Sequence, residues 1–557
     1  MAIVALPAGL PGRRLGWLVL PLLLFLVIFF FLPVGRLLSL SFAGATGPWE
    51  HYLRAASVPA YRVALATTFE IAALVTLISV VLAYPVAYLM ATVPPRVTRL
   101  LTLCVLLPFW TSSLVRTTAW IILLQRNGAL NTLLTEGGLT AQPIAFVYNM
   151  SGVLIGMSHV LMPFVVLPLY SAFRGIDANL VHAAETLGAG PWSLCRRLFL
   201  PLTAPGMLAG ATIVFMNALG YYVTPALMGG PAQTMIAQLI AFNISEQLNW
   251  GLAAALSVAV LGATLLVFSL FQVVFGLEKL LGDSSAPVAA TPFAVGSRGR
   301  SAGGWVLVMA GVAVVLFLLA PILIVFPMSL GSSPFLSFPP SNFSLRWYEE
   351  FFNRPQWIAS LWNSLQVAGI AVLGATTLGT AAALALSRLR GPLGRLLETL
   401  FILPMIVPQI ILAVGLFYLL APWGLIGGHW ALGLGHVVMA APFVVITVRA
   451  ALRGFDRNLE LAALGLGASW PAMFRRVLLP AILPGILAGA VFAFITSFDD
   501  VVLALFLTNV RSRTLPKLMY EGVAHEINPT ITAVAALIVL FTLAVLLTNL
   551  VLQRRAR

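Results

Sequence analysis

Two adjacent carboxylates, Asp499 and Asp500, fall inside the apolar run 481–505 of a 557-residue chain. An ionised side chain within a lipid bilayer costs roughly 2.5–3.5 kcal/mol on insertion scales, so its presence requires a physical reason. Paired carboxylates can neutralise an ammonium or amidine group, and the faces of aromatic rings attract the same cations. We therefore expect a pathway for a cation, lined by these carboxylates and by further polar and aromatic side chains: Tyr221, Tyr222, Asn217, Thr224 and Glu70.

The same charged residues also admit structural roles. Asp499 and Asp500 could form an exposed helix end, cap a helix or pair with Arg116, which otherwise has no assigned role. For Glu70, a solvated helix entrance is an alternative to contact with a passing cation. Both alternatives stay open in the sequence.

The composition requires a membrane protein. Apolar residues make up 60% of the chain and charged residues only 9%, against about 25% charged residues in an ordinary soluble domain. So much apolar surface needs lipid as its solvent, which excludes a soluble enzyme and a disordered or fibrous chain. The two cysteines and six histidines form no metal-ligand or catalytic pattern, so we expect no enzyme activity and no cofactor. Neither Lys279 nor Lys517 lies in a phosphate-binding loop, so any ATP must bind to another chain.

Twelve apolar runs approach the length of about 20 residues that a membrane-spanning helix needs. They divide into six on each side of a Ser-, Gly-, Ala- and Pro-rich segment, 278–304, which predicts a flexible cytoplasmic linker. The predicted domains are therefore 1–277 and 305–557. The predicted spans are 15–35, 66–92, 99–124, 147–173, 202–226, 250–276, 305–330, 362–387, 398–420, 430–450, 481–505 and 528–552.

The distribution of Lys and Arg predicts the orientation of these spans. When the N-terminus is placed in the cytoplasm and the chain alternates, most of the 31 basic residues fall on the cytoplasmic side. The whole net charge of +14 then lies on that face. Because topology explains the basic character, we expect cytoplasmic N- and C-termini, a lipid bilayer around the chain and no nucleic-acid partner.

The two halves of the sequence repeat one another at a fixed offset. The 38-residue segments that begin at Arg174 and Arg453 are identical at 20 positions. Because each half contains an even number of predicted spans, both halves insert the same way up, as parallel repeats around one pathway. In this alignment the paired carboxylates correspond to Gly220 and Tyr221, so the pathway is predicted to be asymmetric.

Each repeat contains a short predicted helix on the cytoplasmic side, between its fourth and fifth spans. Apolar residues recur at i, i+3, i+4 and i+7, which predicts one apolar stripe on an amphipathic helix. The two stripes are Leu180, Ala183, Ala184 and Leu187 in the first copy, and Leu459, Ala462, Ala463 and Leu466 in the second. The predicted helix ends are Asp177 and Asp456 as N-caps, with Gly188 and Gly467 as C-terminal glycines.

These two helices are predicted to bind other proteins. A helix that lies in the lipid headgroup layer is the alternative, with Arg196 and Arg475 at the membrane surface. Small alanines, however, suit close packing into a protein groove better than anchoring in lipid. Two equivalent helices on one face therefore predict two equivalent docking partners.

The pattern resembles the EAA loop of ABC importer permeases, which reads E-A-A, three residues, Gly, nine residues and I-x-L-P. The first copy reads His182-Ala183-Ala184, Gly188, Leu198 and Leu200-Pro201, and the second reads Leu461-Ala462-Ala463, Gly467, Val477 and Leu479-Pro480. Both copies lack the glutamate of that family. Glu185 and Glu460 are the nearby residues that could serve in its place.

The resemblance covers nearly the whole chain. The first half resembles the PotB type and the second half the PotC type of polyamine (spermidine/putrescine) importer permease, which are normally separate chains. The segments that carry it are LNTLL at 130–134, LGYYVTPALMGGP at 219–231, SFDDVVLALFLTNV at 497–510 and LPKLMYEGVAHEINPTITAVA at 515–535.

The resemblance implies an all-α, type I ABC importer permease fold in a bacterial inner membrane. It implies that the loop helices dock on two cytoplasmic ATPase subunits, which bind ATP and magnesium. An extracytoplasmic solute-binding protein would deliver the cargo, a polyamine or related small cation. The implied coupling residues are Asp177, Ala183, Ala184, Glu185, Gly188, Arg196, Asp456, Glu460, Ala462, Ala463, Gly467 and Arg475.

Two other classes of protein compete with this interpretation. An ion-coupled secondary transporter can also contain two parallel six-helix repeats, but it predicts ionisable groups near the midplane, whereas the clearest repeat here is cytoplasmic. A membrane-embedded enzyme would need a catalytic cluster, and the sequence contains none. Among ABC importer permeases, ferric iron, thiamine, opines and phosphonates are alternative cargoes.

Overall fold

The computed structural model of the protein describes residues 16–275, 302–334, 338–340, 342–389, 391–525 and 528–555. This part of the chain is helical, and its only β-type pairing is an isolated bridge between Gly331 and Phe343. Among these residues, eight helices are long and apolar enough to cross a membrane, and three bent helix pairs raise that number to 11 if each pair is one span. The prediction of an all-α, multi-pass membrane protein is confirmed.

The helices follow the predicted runs. In the first half they are α1 (Gly16–Phe42), α2 (Glu50–Ser57), α3 (Pro59–Thr92), α4 (Pro95–Trp110), α5 (Ser113–Leu124), α6 (Ala129–Glu136), α7 (Met150–Leu161), α8 (Pro163–Arg174), α9 (Ala178–Thr186), α10 (Pro191–Leu219), α11 (Val223–Met228), α12 (Ile236–Ser245) and α13 (Trp250–Phe275). In the second half they are α14 (Ala302–Ser329), α15 (Arg346–Asn353), α16 (Pro355–Leu386), α17 (Pro392–Ile406), α18 (Gln409–Leu420), α19 (His429–Arg453), α20 (Arg457–Gly465), α21 (Trp470–Asp499), α22 (Val502–Leu507), α23 (Leu515–His525) and α24 (Thr530–Arg555). The predicted linker, 278–304, falls mainly outside the described residues.

Three predicted spans are bent. Helices α4 and α5 meet at 95°, α17 and α18 at 94°, and α7 and α8 at 48°. Pro408 lies at the second of these breaks and Pro163 begins α8. Proline lacks the backbone N–H that a continuing helix needs, and it disfavours helical dihedral angles in the preceding residue. At the first break Thr111 is extended. The predicted spans 99–124, 398–420 and 147–173 are therefore each formed by a bent pair of helices and not by one continuous helix.

The helices form two compact units that do not coincide with the two halves of the sequence. The first unit consists of the described residues within Leu38–Arg354 and Met519–Val539, and the second unit of those within Met1–Leu37, Pro355–Leu518 and Leu540–Arg557. In the first unit α14 packs on α3, α4 and α5, and in the second unit the N-terminal part of α1 packs on α16. The first helix of each half therefore packs, wholly or in its N-terminal part, in the unit that the other half mainly forms. The predicted domains 1–277 and 305–557 correspond to the two sequence repeats and not to the two compact units.

Small residues allow equivalent helices to approach closely in each unit. In the first unit Gly206 and Gly210 of α10 face α8, and in the second unit Gly485 and Gly489 of α21 face α19. A Cβ atom added at Gly210 would lie 2.6 Å from the Cα atom of Val165. Small residues spaced four apart in this way bring helix backbones together in membranes.

Replacing Gly210 by alanine is expected to lower the thermal midpoint of the detergent-solubilised protein. The added Cβ meets backbone atoms that cannot move aside, and such overpacking costs about 1–3 kcal/mol, more than alanine gains through its higher helix propensity. The matched control is Gly262→Ala in α13, because a Cβ atom there meets nothing within 4 Å. Equal thermal midpoints for the two variants would contradict close packing of α8 on α10.

Candidate functional site

The two loop helices predicted from the repeat are α9 and α20, and both are capped as predicted. The side chain of Asp177 accepts a hydrogen bond from the backbone N–H of Asn179 at 3.0 Å, and Asp456 does the same for Asn458 at 2.9 Å. Just beyond the other ends, Gly188 and Gly467 have φ angles of +83° and +85°. Only glycine adopts this left-handed conformation readily, so these positions terminate both helices at the same place.

The apolar stripes of α9 and α20 are exposed. Leu187 and Leu466 expose 87% and 89% of their surface, the two largest values among the large apolar side chains that the structure describes. Leu180 and Leu459 are exposed beside them, with Ala183 and Ala462. On the other side of α9, Val181 is buried. Exposed apolar patches of this kind mark sites where another protein or a membrane binds.

The two glutamates that the sequence offered in place of the family's missing residue have different surroundings. Glu185 is exposed and lies 3.5 Å from His182 in the same helical turn. Glu460 is buried, and both of its carboxylate oxygens lie within 2.9 Å of Nη2 of Arg388. Glu460 is therefore paired within its own unit, whereas Glu185 lies on the surface. That either glutamate serves in place of the family's missing residue stays a prediction. The role of the other coupling residues stays a prediction, including the exposed Arg196 and Arg475.

The fifth span of each half breaks near its end. Helix α10 stops at Leu219 and α11 starts at Val223, and α21 stops at Asp499 and α22 starts at Val502. When the two sequence repeats are aligned, α11 and α22 coincide. The prediction of continuous helices over 202–226 and 481–505 is therefore wrong. Irregular backbone at membrane depth is tolerated where protein buries it or where it lines a cavity, and transport sites are typically built at such breaks.

Asp500 is buried at the break between α21 and α22. Its Oδ2 atom accepts a hydrogen bond from the backbone N–H of Ala504 at 3.1 Å and lies 3.2 Å from Nε2 of His436. Nδ1 of His436 is 2.7 Å from the hydroxyl oxygen of Ser497. The assignment that satisfies both contacts is that Nε2–H donates to Asp500 and the Ser497 hydroxyl donates to Nδ1. Asp500 therefore caps α22, one of the structural roles that the sequence left open.

Lys517 lies at the other end of α22 and is buried. Its Nζ atom donates hydrogen bonds to the carbonyl and the hydroxyl oxygens of Thr508, both at 3.0 Å, and to the carbonyl oxygen of Leu505 at 3.3 Å. A carboxylate near a helix N-terminus and an ammonium near its C-terminus both interact favourably with the helix dipole. The short helix is therefore held at each end by a buried charged side chain.

The other predicted pathway residues differ in exposure. Asp499 ends α21 and is partly exposed, so the two adjacent carboxylates do not share one environment. Tyr221 and Tyr222 are partly exposed at the break before α11. The hydroxyl oxygen of Tyr222 is 3.4 Å from that of Tyr520, and their ring centroids are 6.2 Å apart, which forms an aromatic pair in the first unit.

Three further predicted residues lie elsewhere in the first unit. Asn217 is exposed, and its side chain donates to the carbonyl oxygen of Ile213 in its own helix at 2.8 Å. Thr224 is buried, and its hydroxyl oxygen is 3.0 Å from that of Thr117 on α5. Glu70 is exposed on α3. Contact between these side chains and a cargo stays a prediction.

Sequence reasoning missed the roles of Tyr520, His436, Ser497 and Lys517. Each is a polar residue in an apolar segment, and that is the one signal the sequence offered. Their partners come from distant positions, so the pairs themselves could not be predicted. No group of three or more His, Cys, Asp or Glu side chains that could hold a metal ion occurs in the described part of the chain.

A helical membrane chain with two copies of one capped loop helix and of one broken span has the organisation of a two-half transport permease. Residues 83–281 and 375–557 match the family described as "Binding-protein-dependent transport system inner membrane component". These segments make up more than half of the chain, which therefore belongs to this family of ABC importer permeases.

Three relatives illustrate the relationship. The chain is 34% identical over 254 residues to the spermidine/putrescine transport system permease protein PotB of Escherichia coli (strain K12), a match that covers 44% of this chain and 92% of that protein. It is 32% identical over 214 residues to the spermidine/putrescine transport system permease protein PotC of Haemophilus influenzae, a match that covers 38% of this chain and 83% of that protein. It is 29% identical over 409 residues to the probable ABC transporter permease protein y4fN of Sinorhizobium fredii, covering 71% of each chain.

Proposed function

We propose that this chain forms the permease of an ATP-driven importer that carries polyamines or a related small cation into a bacterial cell. It spans the inner membrane with both termini in the cytoplasm. Two separate cytoplasmic ATPase subunits bind ATP and magnesium and engage α9 and α20. An extracytoplasmic solute-binding protein delivers the cargo, and the permease itself catalyses no reaction.

The observation that carries the coupling proposal is the pair of exposed leucine stripes. Two helices with the same caps, the same length and the same outward apolar face offer two equivalent docking sites, as two copies of one ATPase require. Lipid headgroups could also cover such stripes, so binding of the ATPase subunits is the property that must be measured.

The proposed mechanism is alternating access. ATP closes the two ATPase subunits, which move both loop helices and open the pathway to the outside, where the binding protein releases its cargo. Hydrolysis then returns the permease to the inward-facing state. The two states must differ in affinity for the ATPase subunits and the binding protein, because a ligand shifts an equilibrium only by its differential affinity.

The proposed cargo is supported by two observations. Relatives named as spermidine/putrescine permeases of both the PotB and the PotC kind match this chain. Asp499 supplies a partly exposed carboxylate at one broken span, and Tyr222 and Tyr520 supply ring faces beside the other. Carboxylates and aromatic faces are the groups that recognise ammonium cations.

Uptake by proteoliposomes tests the proposal. They would contain the permease together with its ATPase and its binding protein, and radiolabelled spermidine should enter only when ATP and the binding protein are present. Uptake that is driven by a proton or sodium gradient without the ATPase would contradict the proposal and identify a secondary transporter. ATP-dependent uptake of another cargo, with neither spermidine nor putrescine carried, would contradict the cargo alone.

Replacing Asp499 by asparagine is expected to lower ATP-dependent spermidine uptake about tenfold, which corresponds to a loss of about 1.4 kcal/mol of attraction for the cation. Initial uptake rates in proteoliposomes measure the effect. Glu136→Gln is the matched control, since it removes one exposed negative charge from α6, outside the fifth span of either half. Equal uptake by the two variants would show that Asp499 does not attract the cargo.

A further inference from the structure

The second loop helix is attached to the end of α16 by two charged contacts. Nη2 of Arg388 lies 2.7 and 2.9 Å from the two carboxylate oxygens of Glu460 on α20. Nη2 of Arg457, the first residue of α20, donates to the carbonyl oxygen of Ser387 at 2.5 Å. The side chains of Arg388 and Glu460 are largely shielded from water, so salt and solvent screen their attraction little.

The first loop helix has none of the three charged residues that make these contacts. Helix α3 corresponds to α16 when Thr68 is aligned with Ser364. Thr68 accepts a hydrogen bond from the first residue of α12, and Ser364 accepts one from the first residue of α23. With these helices and the two loop repeats aligned, the corresponding pairs are Arg388 with Thr92, Arg457 with Ala178, and Glu460 with Val181. Both partners of the ion pair are thus present in one copy and replaced by uncharged residues in the other.

The surroundings of Glu460 exclude it from a docking surface. Its carboxylate is buried against Arg388, while Leu459 and Leu466 of the neighbouring stripe are exposed. Helix α16 packs along α19 and α21 in the second unit, and α21 ends at Asp499 beside the break. A displacement of the cytoplasmic end of α16 therefore reaches the broken span through helices that are in direct contact.

We propose that Arg388 and Glu460 are positioning residues that transmit the ATP-driven movement of α20 to α16. The second loop helix thus moves with its unit as one body, whereas the first is held through the uncharged Val181 and transmits force less directly. This proposal rests on the proposed docking of an ATPase subunit at α20. It assigns unequal roles to the two loop helices, although their exposed faces are equivalent.

The first half of the chain supplies the substitution that tests this link. Removing one partner of a buried ion pair leaves the other charge uncompensated, so single variants disturb the fold as well as the link. Replacing both partners by uncharged residues avoids that cost. The double variant Arg388→Thr with Glu460→Val installs the pair of residues that the first half already carries, and it leaves the leucine stripe unchanged.

The experiment compares cargo molecules imported per ATP hydrolysed in proteoliposomes, together with the amount of ATPase that copurifies with the permease. We expect the double variant to bind the ATPase as the wild type does but to import at least fivefold fewer molecules per ATP. Arg388→Lys should retain more than half of the wild-type ratio. One nitrogen of Arg388 contacts both oxygens of Glu460, and a lysine ammonium can make the same contacts.

Three outcomes would contradict the proposal in different ways. A wild-type ratio in the double variant would show that the ion pair transmits nothing. If the double variant binds less ATPase and imports less cargo, but imports as many molecules per ATP as the wild type, the ion pair has a purely structural role. Failure of the ATPase to bind the wild-type permease would instead refute the proposed function, and the transmission of movement with it.

Discussion

Replacing Leu187 and Leu466 together by aspartate is expected to abolish association with the ATPase subunits and to reduce ATP-dependent uptake at least about 100-fold. Each leucine directly follows a loop helix and exposes nearly its whole side chain, so we expect the substitution to leave the permease fold unaffected. Docking would then bury two unpaired carboxylates, at a cost of several kcal/mol. A loss of about 1.4 kcal/mol already lowers affinity tenfold. Copurification of the ATPase with tagged permease measures the effect.

Leu139→Asp is the matched control for this double variant. Leu139 is also a highly exposed leucine, but it belongs to the segment between α6 and α7 and to neither loop helix. We expect wild-type copurification and uptake from it. Undiminished copurification from the double variant would mean that something other than the ATPase covers the leucine stripes, and lipid headgroups would then be the better interpretation.

Replacing Asp500 by leucine is expected to lower the thermal midpoint of the solubilised permease, with uptake reduced in proportion to the folded fraction. The substitution removes the acceptor for two buried donors, Nε2–H of His436 and the backbone N–H of Ala504. Each buried donor left without a partner costs about 1–3 kcal/mol, so the second unit loses several kcal/mol of stability.

Asp500→Asn and Asp499→Asn separate the capping role from contact with cargo. Asparagine at position 500 keeps a carbonyl oxygen that can accept from one of the two donors, so we expect a smaller fall in the thermal midpoint than with leucine. Asp499→Asn should lower uptake through weaker cation attraction. A wild-type thermal midpoint for Asp500→Leu together with lost uptake would contradict the cap and return Asp500 to the pathway.

Local features of the loop helices could be predicted from the sequence because their partners are only a few residues away. The caps at Asp177 and Asp456 depend on a backbone N–H two residues along the chain. The helix ends at Gly188 and Gly467 depend on a conformation that glycine adopts without steric cost. The apolar stripes follow from residues spaced at i, i+3, i+4 and i+7, but only the structure shows that the leucines of these stripes are exposed.

The sequence by itself determined that this chain is an apolar, helical membrane protein with two copies of one sequence repeat. Composition and periodicity can show this because they act through local chain geometry and lipid solvation. Only the tertiary structure decided which charged residues are buried and bonded to other residues of the same chain. Glu460 pairs with Arg388, 72 residues away, and Asp500 lies against His436, 64 residues away. Adjacent Asp499 is only partly buried, because burial is set by the helices that meet in space and not by position along the chain.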